Sequence, residues 1–175
     1  MTSSEPEGLL GHQTPRIQLL PPSLGSLGRE VVELSAVAGL NLDPWQAWFI
    51  EQACATKEET YFNEYTEEWQ QKWAAFEVGL MVSRQNGKGS ILEARELAGL
   101  FLLGERTLVH SAHMFDTSQE HFRRICELIE GVPDFEREVQ KISVSHGQEG
   151  IYLKNGDTIY VDYAAGHALV RAAVA

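Results

Sequence analysis

Apolar residues recur along this chain in more than one rhythm, and each change of rhythm marks an element. From Arg29 to Leu40 they return at helical spacing, at Val31, Leu34 and Val37 or Ala38, with Gly39 as a stop. Asn41-Leu42-Asp43-Pro44 starts a second helix, because Asp43 suits the N-cap and Pro44 the first helical position. That helix carries Trp45, Trp48, Phe49 and Ala53 on one side. Glu77 to Ser83 is a short apolar run bounded by polar residues, the pattern of a buried strand. Ile91 to Leu103 reads as a helix with Leu92, Ala94, Leu97, Ala98 and Phe101 as its apolar positions, closed by Gly104. Arg106 to Ala112 is a second short buried strand. Asp116 to Glu130 is an amphipathic helix with Phe122, Ile125, Leu128 and Ile129 inward and Gly131 as terminator. Strand, loop, helix, strand, helix predicts an α/β fold with parallel strands.

The rhythm then changes to alternation. Lys141 to Ser145, Gly150 to Lys154 and Asp157 to Asp162 each alternate apolar and polar residues, and Asn155-Gly156 separates the last two. That dipeptide favours a two-residue turn, so a C-terminal β-hairpin is expected here. Thr56 to Lys72 mixes acidic residues with Tyr61, Phe62, Tyr65 and Trp69 and reads as a solvated face on a partly helical connector. Residues 1–27 are rich in Pro, Gly and Ser and read as a mobile arm. Residues 163–175 are small and apolar without a clear period. The expected organisation is an arm (1–27), a helical segment (28–75), an α/β core (76–162) and a divergent tail (163–175).

Composition narrows the class. With 43% hydrophobic and 22% charged residues in 175, the chain can build one domain with a real core. No apolar run approaches the ~20 residues a membrane helix needs, so no membrane partner is expected. The acidic N-terminus lacks the basic start of a signal peptide, so a cytoplasmic and not a secreted protein is expected. Cys54 and Cys126 lie far apart without metal-type spacing and read as two reduced thiols. A formal net charge of −11 offers no broad basic face for nucleic acid, so any DNA contact must come from a local patch or from other subunits.

Chemistry concentrates in Ser83-Arg84-Gln85-Asn86-Gly87-Lys88-Gly89-Ser90. A strand, a short loop ending in Gly-Lys and a helix form the geometry of a phosphate-binding loop. The first helical turn offers unpaired N–H groups and the positive end of the dipole, where an anion fits. Gly87 lets backbone approach a phosphate, and Lys88 places a cation on its oxygens. Two positions depart from the full Walker A pattern: Val82 stands where its first Gly belongs, and Gly89 replaces the metal-holding Ser or Thr. By pattern alone, a Gly-Lys at a strand-to-helix junction is a weak signal, and a surface turn with a solvated lysine is the better reading.

Four stretches together resemble the ATPase of tailed-phage terminase large subunits. Ser83 to Lys88 resembles that family's deviant Walker A, with Arg84 at the loop's start and Gln85 beside it. Leu42-Asp43-Pro44-Trp45-Gln46 resembles its adenine-recognition segment. Leu108 to Arg124 resembles its second strand and following helix, and Ser145 to Leu153 the stretch before its Walker B. The resemblance covers roughly Asp43 to Tyr160. It implies an incomplete P-loop NTPase fold of the ASCE type, with N-terminal helices and a C-terminal β-hairpin, and ATP with Mg²⁺ as ligands. In that frame Lys88 binds the β- and γ-phosphates, Arg84 senses the γ-phosphate, and Gln46 reads adenine with Trp45 packing beside it. The N–H groups of Asn86, Gly87, Lys88 and Gly89 cradle phosphate oxygens. Ser90 is the candidate metal hydroxyl. One residue of helix turns a side chain by about 100°, so a metal held mainly through water is the alternative. The family's partners are double-stranded DNA, the portal and the small terminase subunit, in the cytoplasm of a bacterial host.

The acidic pair that such an ATPase needs after an apolar strand has no counterpart after the hairpin, where Asp157 and Asp162 read as solvent-facing strand residues. No catalytic residue is therefore assigned, and the family's nuclease is not expected. A truncated or frame-shifted terminase, of phage or prophage, binding ATP without complete turnover, is the leading expectation. A strand at 77–83 without its usual neighbours would leave apolar edges open and favour aggregation. The alternatives are a non-enzymatic α/β binding or assembly protein with an incidental Gly-Lys turn, and a helicase-like ATPase fragment. His110 and His113 (H-x-x-H) on a strand end do not point to one face, so they read as core or hydrogen-bonding histidines. His146 and Cys126 read as isolated.

Overall fold

A computed structural model describes residues 11–64, 66–112, 114–145, 149–156, 158–162 and 170–172. Helix α1 (Gly28–Val37) buries Val31 and Ser35. Helix α2 (Pro44–Ala53) starts at the expected cap: Asp43 and Gln46 form a reciprocal capping box, with Pro44 in the first position. Helix α3 (Lys88–Phe101) buries Ile91, Glu93, Ala94, Glu96, Leu97, Ala98, Gly99 and Leu100. Such a helix is covered on more than one side, which fits its place in the middle of the molecule. Helices α1 and α2 pack on it. So do β4 (Thr107–Ser111) and α4 (Phe115–Glu130). The short α5 (Pro133–Glu138) follows α4 and stacks Phe135 on Phe101, with ring centroids 4.3 Å apart.

Gly99 is where α3 meets β4 most tightly. A Cβ there would stand 2.7 Å from Leu108 Cδ1 and 2.6 Å from Glu105 Oε2, so any larger residue would push these two side chains aside. Leu108 and His110, two residues apart, share the same strand face.

Two sheets frame the helices. The larger has the order β5–β6–β7–β4–β8, from β5 (Val139–Ser143), β6 (Gly150–Leu153), β7 (Thr158–Asp162), β4 and β8 (Val170–Ala172). Strands β4 and β7 run parallel and the other neighbours antiparallel. The expected hairpin is present as β6–β7, and Gly156 in its turn has φ +98°. The α/β class with a parallel strand pair is therefore present.

Two expectations are corrected. The segment 56–72 is not a partly helical connector. It is an antiparallel hairpin of β2 (Ala55–Asn63) and β3 (Glu68–Trp73), joined on its other edge by β1 (Gly25–Ser26). Its Thr, Tyr, Phe and Trp residues suit a pleated surface better than a helix, and Trp69 packs edge-on against Phe62 at 5.7 Å. The hairpin is anchored to α3 through Arg95, which lies 5.5 Å from the Trp73 ring centre and forks onto Glu105 at 2.7 and 2.5 Å.

The second correction concerns Glu77 to Ser83. It is irregular chain belonging to neither sheet, not a buried strand. Both edges of β4 are already taken, by β7 and β8, so no ladder position beside β4 is open to it. Leu80 still packs on the core, whereas Phe76 and Met81 are fully exposed. The residues 1–10, Tyr65, His113, His146 and Asp157 lie outside the described set, as does the tail apart from β8. Cys54 and Cys126 are free thiols. Burial pushes both up, that of Cys126 to about 11. Among the described residues no helix is long and apolar enough to cross a membrane.

Candidate functional site: the turn into helix α3

The chain enters α3 through two left-handed residues. Gln85 has φ +60° and Gly87, the N-cap, φ +71°. Glycine takes the second at no steric cost. Between them Asn86 donates from Nδ2 to Ser83 Oγ at 2.5 Å and to the Arg84 carbonyl at 3.4 Å, closing the turn on itself. Arg84, Gln85, Asn86, Gly87 and Gly89 are exposed, and Ser90 is half-buried in the first turn.

Lys88 is the first residue of the 14-residue helix. Its ammonium folds back to donate to the carbonyls of Ser83 at 2.8 Å and Val82 at 3.3 Å. The cation therefore stands over the loop, next to the unpaired N–H groups of the helix start. The two features bring positive charge to one exposed turn in a chain of net charge −11.

Gln46 reaches this turn from α2, with its side chain buried. Its Oε1 accepts from the Asp43 N–H at 2.7 Å and its Nε2 donates to the Gly87 carbonyl at 2.8 Å. Helix α2 is thus tied to the N-cap of α3 by one glutamine. Both ends of that amide are engaged within the chain in this conformation. Trp45 beside it is half-buried against the core, and its N–H is 3.4 Å from Gln13 Oε1. The sequence-derived residues Gln46, Gly87 and Lys88 are therefore brought together, with Arg84 and Gln85 on the exposed lip.

For a metal, Ser90 offers a hydroxyl in the first turn. A carboxylate comes from Glu93, whose Oε1 lies 3.8 Å from where a Cβ on Gly89 would stand. Glu93 titrates above the ordinary carboxylate range because burial outweighs His121 and Arg124, whose charges pull it down. Among the described residues, the one group of three His, Cys, Asp or Glu side chains with converging ligand atoms lies two turns deeper.

That group is Glu96 on α3, His110 on β4 and His121 on α4, all buried or nearly so. One Glu96 oxygen lies 2.8 Å from His110 Nδ1 and the other 2.8 Å from His121 Nε2. The two rings stack at 3.8 Å with planes inclined by 9°. An ion bound through an imidazole lone pair lies in the plane of that ring, and planes this close to parallel do not meet at bonding distance. The donor set suits a divalent metal, but this arrangement suits shared protons. Burial would push the Glu96 carboxyl up, yet the hydrogen bonds from His110 and His121 hold it down at about 2. Burial lowers His121, but Glu96 and Glu93 outweigh it and raise the ring above its ordinary value.

Sequence reading placed His110 correctly as a hydrogen-bonding core residue and missed Glu96 and His121. The signal was available. Small residues Ala94, Ala98 and Gly99 lie on α3 itself, next to Glu96, and let neighbouring elements close in on a charged position.

Compared with known proteins, the chain matches no family model, no curated protein and no solved structure.

Proposed function

We propose that the chain binds the polyphosphate of a nucleoside triphosphate at the turn from Ser83 to Ser90, as the ATP-binding front of a DNA-packaging motor of the terminase large-subunit type. Lys88 carries the reading. At the head of a long helix, its ammonium is held, among the described residues, by two loop carbonyls and no carboxylate, so an incoming phosphate can take it over without breaking an ion pair there. Gly87, pinned by Gln46, keeps backbone close and bare at the same spot. Arg84 stands on the exposed lip, where a γ-phosphate would pass. The resemblance supplies ATP as the nucleotide, Mg²⁺ as its ion through Ser90 or water, and double-stranded DNA, portal and small subunit as partners.

The test is titration with ATP and with inorganic tripolyphosphate, with and without Mg²⁺, read by calorimetry. Wild type should bind both. Lys88→Ala should weaken both at least about tenfold, the equivalent of ~1.4 kcal/mol. If wild type and Lys88→Ala bind neither, the loop is an incidental turn and the chain is an α/β binding or assembly module.

A further inference from the structure

We propose that helix α4 is latched to α3 and β4 by one proton held among Glu96, His110 and His121, and that the latch loosens when this proton leaves. Three elements meet in the cluster, and each contributes one side chain. A carboxylate this deeply buried keeps its charge only against a partner. Two neutral imidazoles can donate both 2.8 Å hydrogen bonds, but they leave a net negative charge inside the protein. One additional proton on the stacked pair neutralises it. A second would place two cations in rings 3.8 Å apart. The cluster therefore holds one added proton.

The surroundings set the direction. From α3, Glu93 faces His121 and adds negative charge. From α4 itself, Arg124 lies 3.8 Å from Glu93 and is half-exposed. From β4 comes His110. Among the described side chains, β7 brings Thr158 and Ile159, neither of which titrates, and the charged residues of α5 are exposed. Raised in the fold, His121 contributes its stabilisation fully below its ordinary 6.5 and loses it as pH rises through the folded value. The latch is thus set below pH 6.5 and slips as pH rises through the raised His121 value. Buried apolar contacts from Phe122, Ile125, Leu128 and Ile129 still hold α4, so the loosening is local and the chain stays folded.

Two measurements on the full chain test this. The His121 ring is followed by NMR titration, and hydrogen exchange of α4 amides is followed from pH 6 to 8.5, corrected for intrinsic rates and referenced to α1. The ring should titrate above 6.5, and α4 opening should rise about tenfold over the same range. His121→Gln keeps a donor toward Glu96 but cannot titrate, so its α4 opening should not change with pH. Equal pH profiles for wild type and His121→Gln would overturn the latch, as would a His121 midpoint at or below 6.5. Should His121→Gln fail to fold, the wild-type data decide alone: coincident midpoints support the latch, and separate ones overturn it. Stoichiometric Zn²⁺ should leave the melting midpoint unchanged. A rise would make the cluster a metal centre and overturn the proton reading.

Discussion

Helix α3 carries two polar centres of opposite character. At its first turn, Lys88 and Gly87 stand at the surface, held by carbonyls and one glutamine. Two turns deeper, Glu96 is almost wholly enclosed and both its oxygens are taken by histidines. The outer centre is charged and underused, which suits a ligand that comes and goes. The inner one is charged and saturated, which suits holding the fold together. The same helix thus holds its polar groups loosely at its start and fixes them in its interior.

The largest effect should come from breaking the inner centre. Glu96→Ala strands two buried imidazoles and should cost about 3–5 kcal/mol in urea unfolding, whereas Lys88→Ala should stay within about 0.5 kcal/mol of wild type. If the two cost the same, the contrast between the centres is wrong. Acid offers a second view of the inner one. Glu96 is depressed from 4.5 to about 2, so its stabilisation is complete above 4.5 and is lost as pH falls toward 2. A plot of stability against pH should show that acid limb in wild type and a shallower one in Glu96→Ala.

How much of this could be read from the chain follows from where each signal lives. Asp43-Pro44 and Asn155-Gly156 are local signals, and the capped α2 and the β6–β7 hairpin appear where they point. The apolar run 77–83 is also a local signal, yet strand formation needs an open edge, and that depends on β7 and β8 from far along the chain. The acidic, aromatic stretch 56–72, expected as a partly helical connector, went wrong for the same reason. Its partner β1 and its anchor Arg95 lie outside it. At the candidate site, the Gly87–Lys88 turn at the start of α3 was legible because a loop that runs straight into a helix is contiguous in sequence. The bond from Gln46 to the Gly87 carbonyl spans 41 residues, and the Glu96–His121 pair joins two helices. Neither leaves a spacing that a pattern can catch.

A smaller effect should come from the hinge between α2 and the outer centre. Gly87→Ala forces a left-handed Cβ, which costs about 1–2 kcal/mol, and places it 2.6 Å from Gln46 Nε2. In a Gln46→Ala background the clash is gone and only the backbone strain remains. A double-mutant cycle in urea should therefore show the two changes to be coupled. Additive costs would mean that Gln46 does not bear on the turn.

The smallest effect on stability should come from the segment leading into the turn. Phe76 and Met81 are fully exposed while Leu80 packs on the core. Phe76→Ser with Met81→Ser removes apolar surface that the fold does not use, so the melting midpoint should stay within the equivalent of about 0.5 kcal/mol. Leu80→Ala, by contrast, should lower it. What the double change should alter is self-association: a backbone outside either sheet with large apolar side chains is a template for pairing with another chain. Sedimentation velocity should show less oligomer in the double variant than in wild type at equal concentration. If oligomer is unchanged and the midpoint drops, residues 76–81 are packed in solution, and the outer centre is more enclosed than its exposed lip suggests.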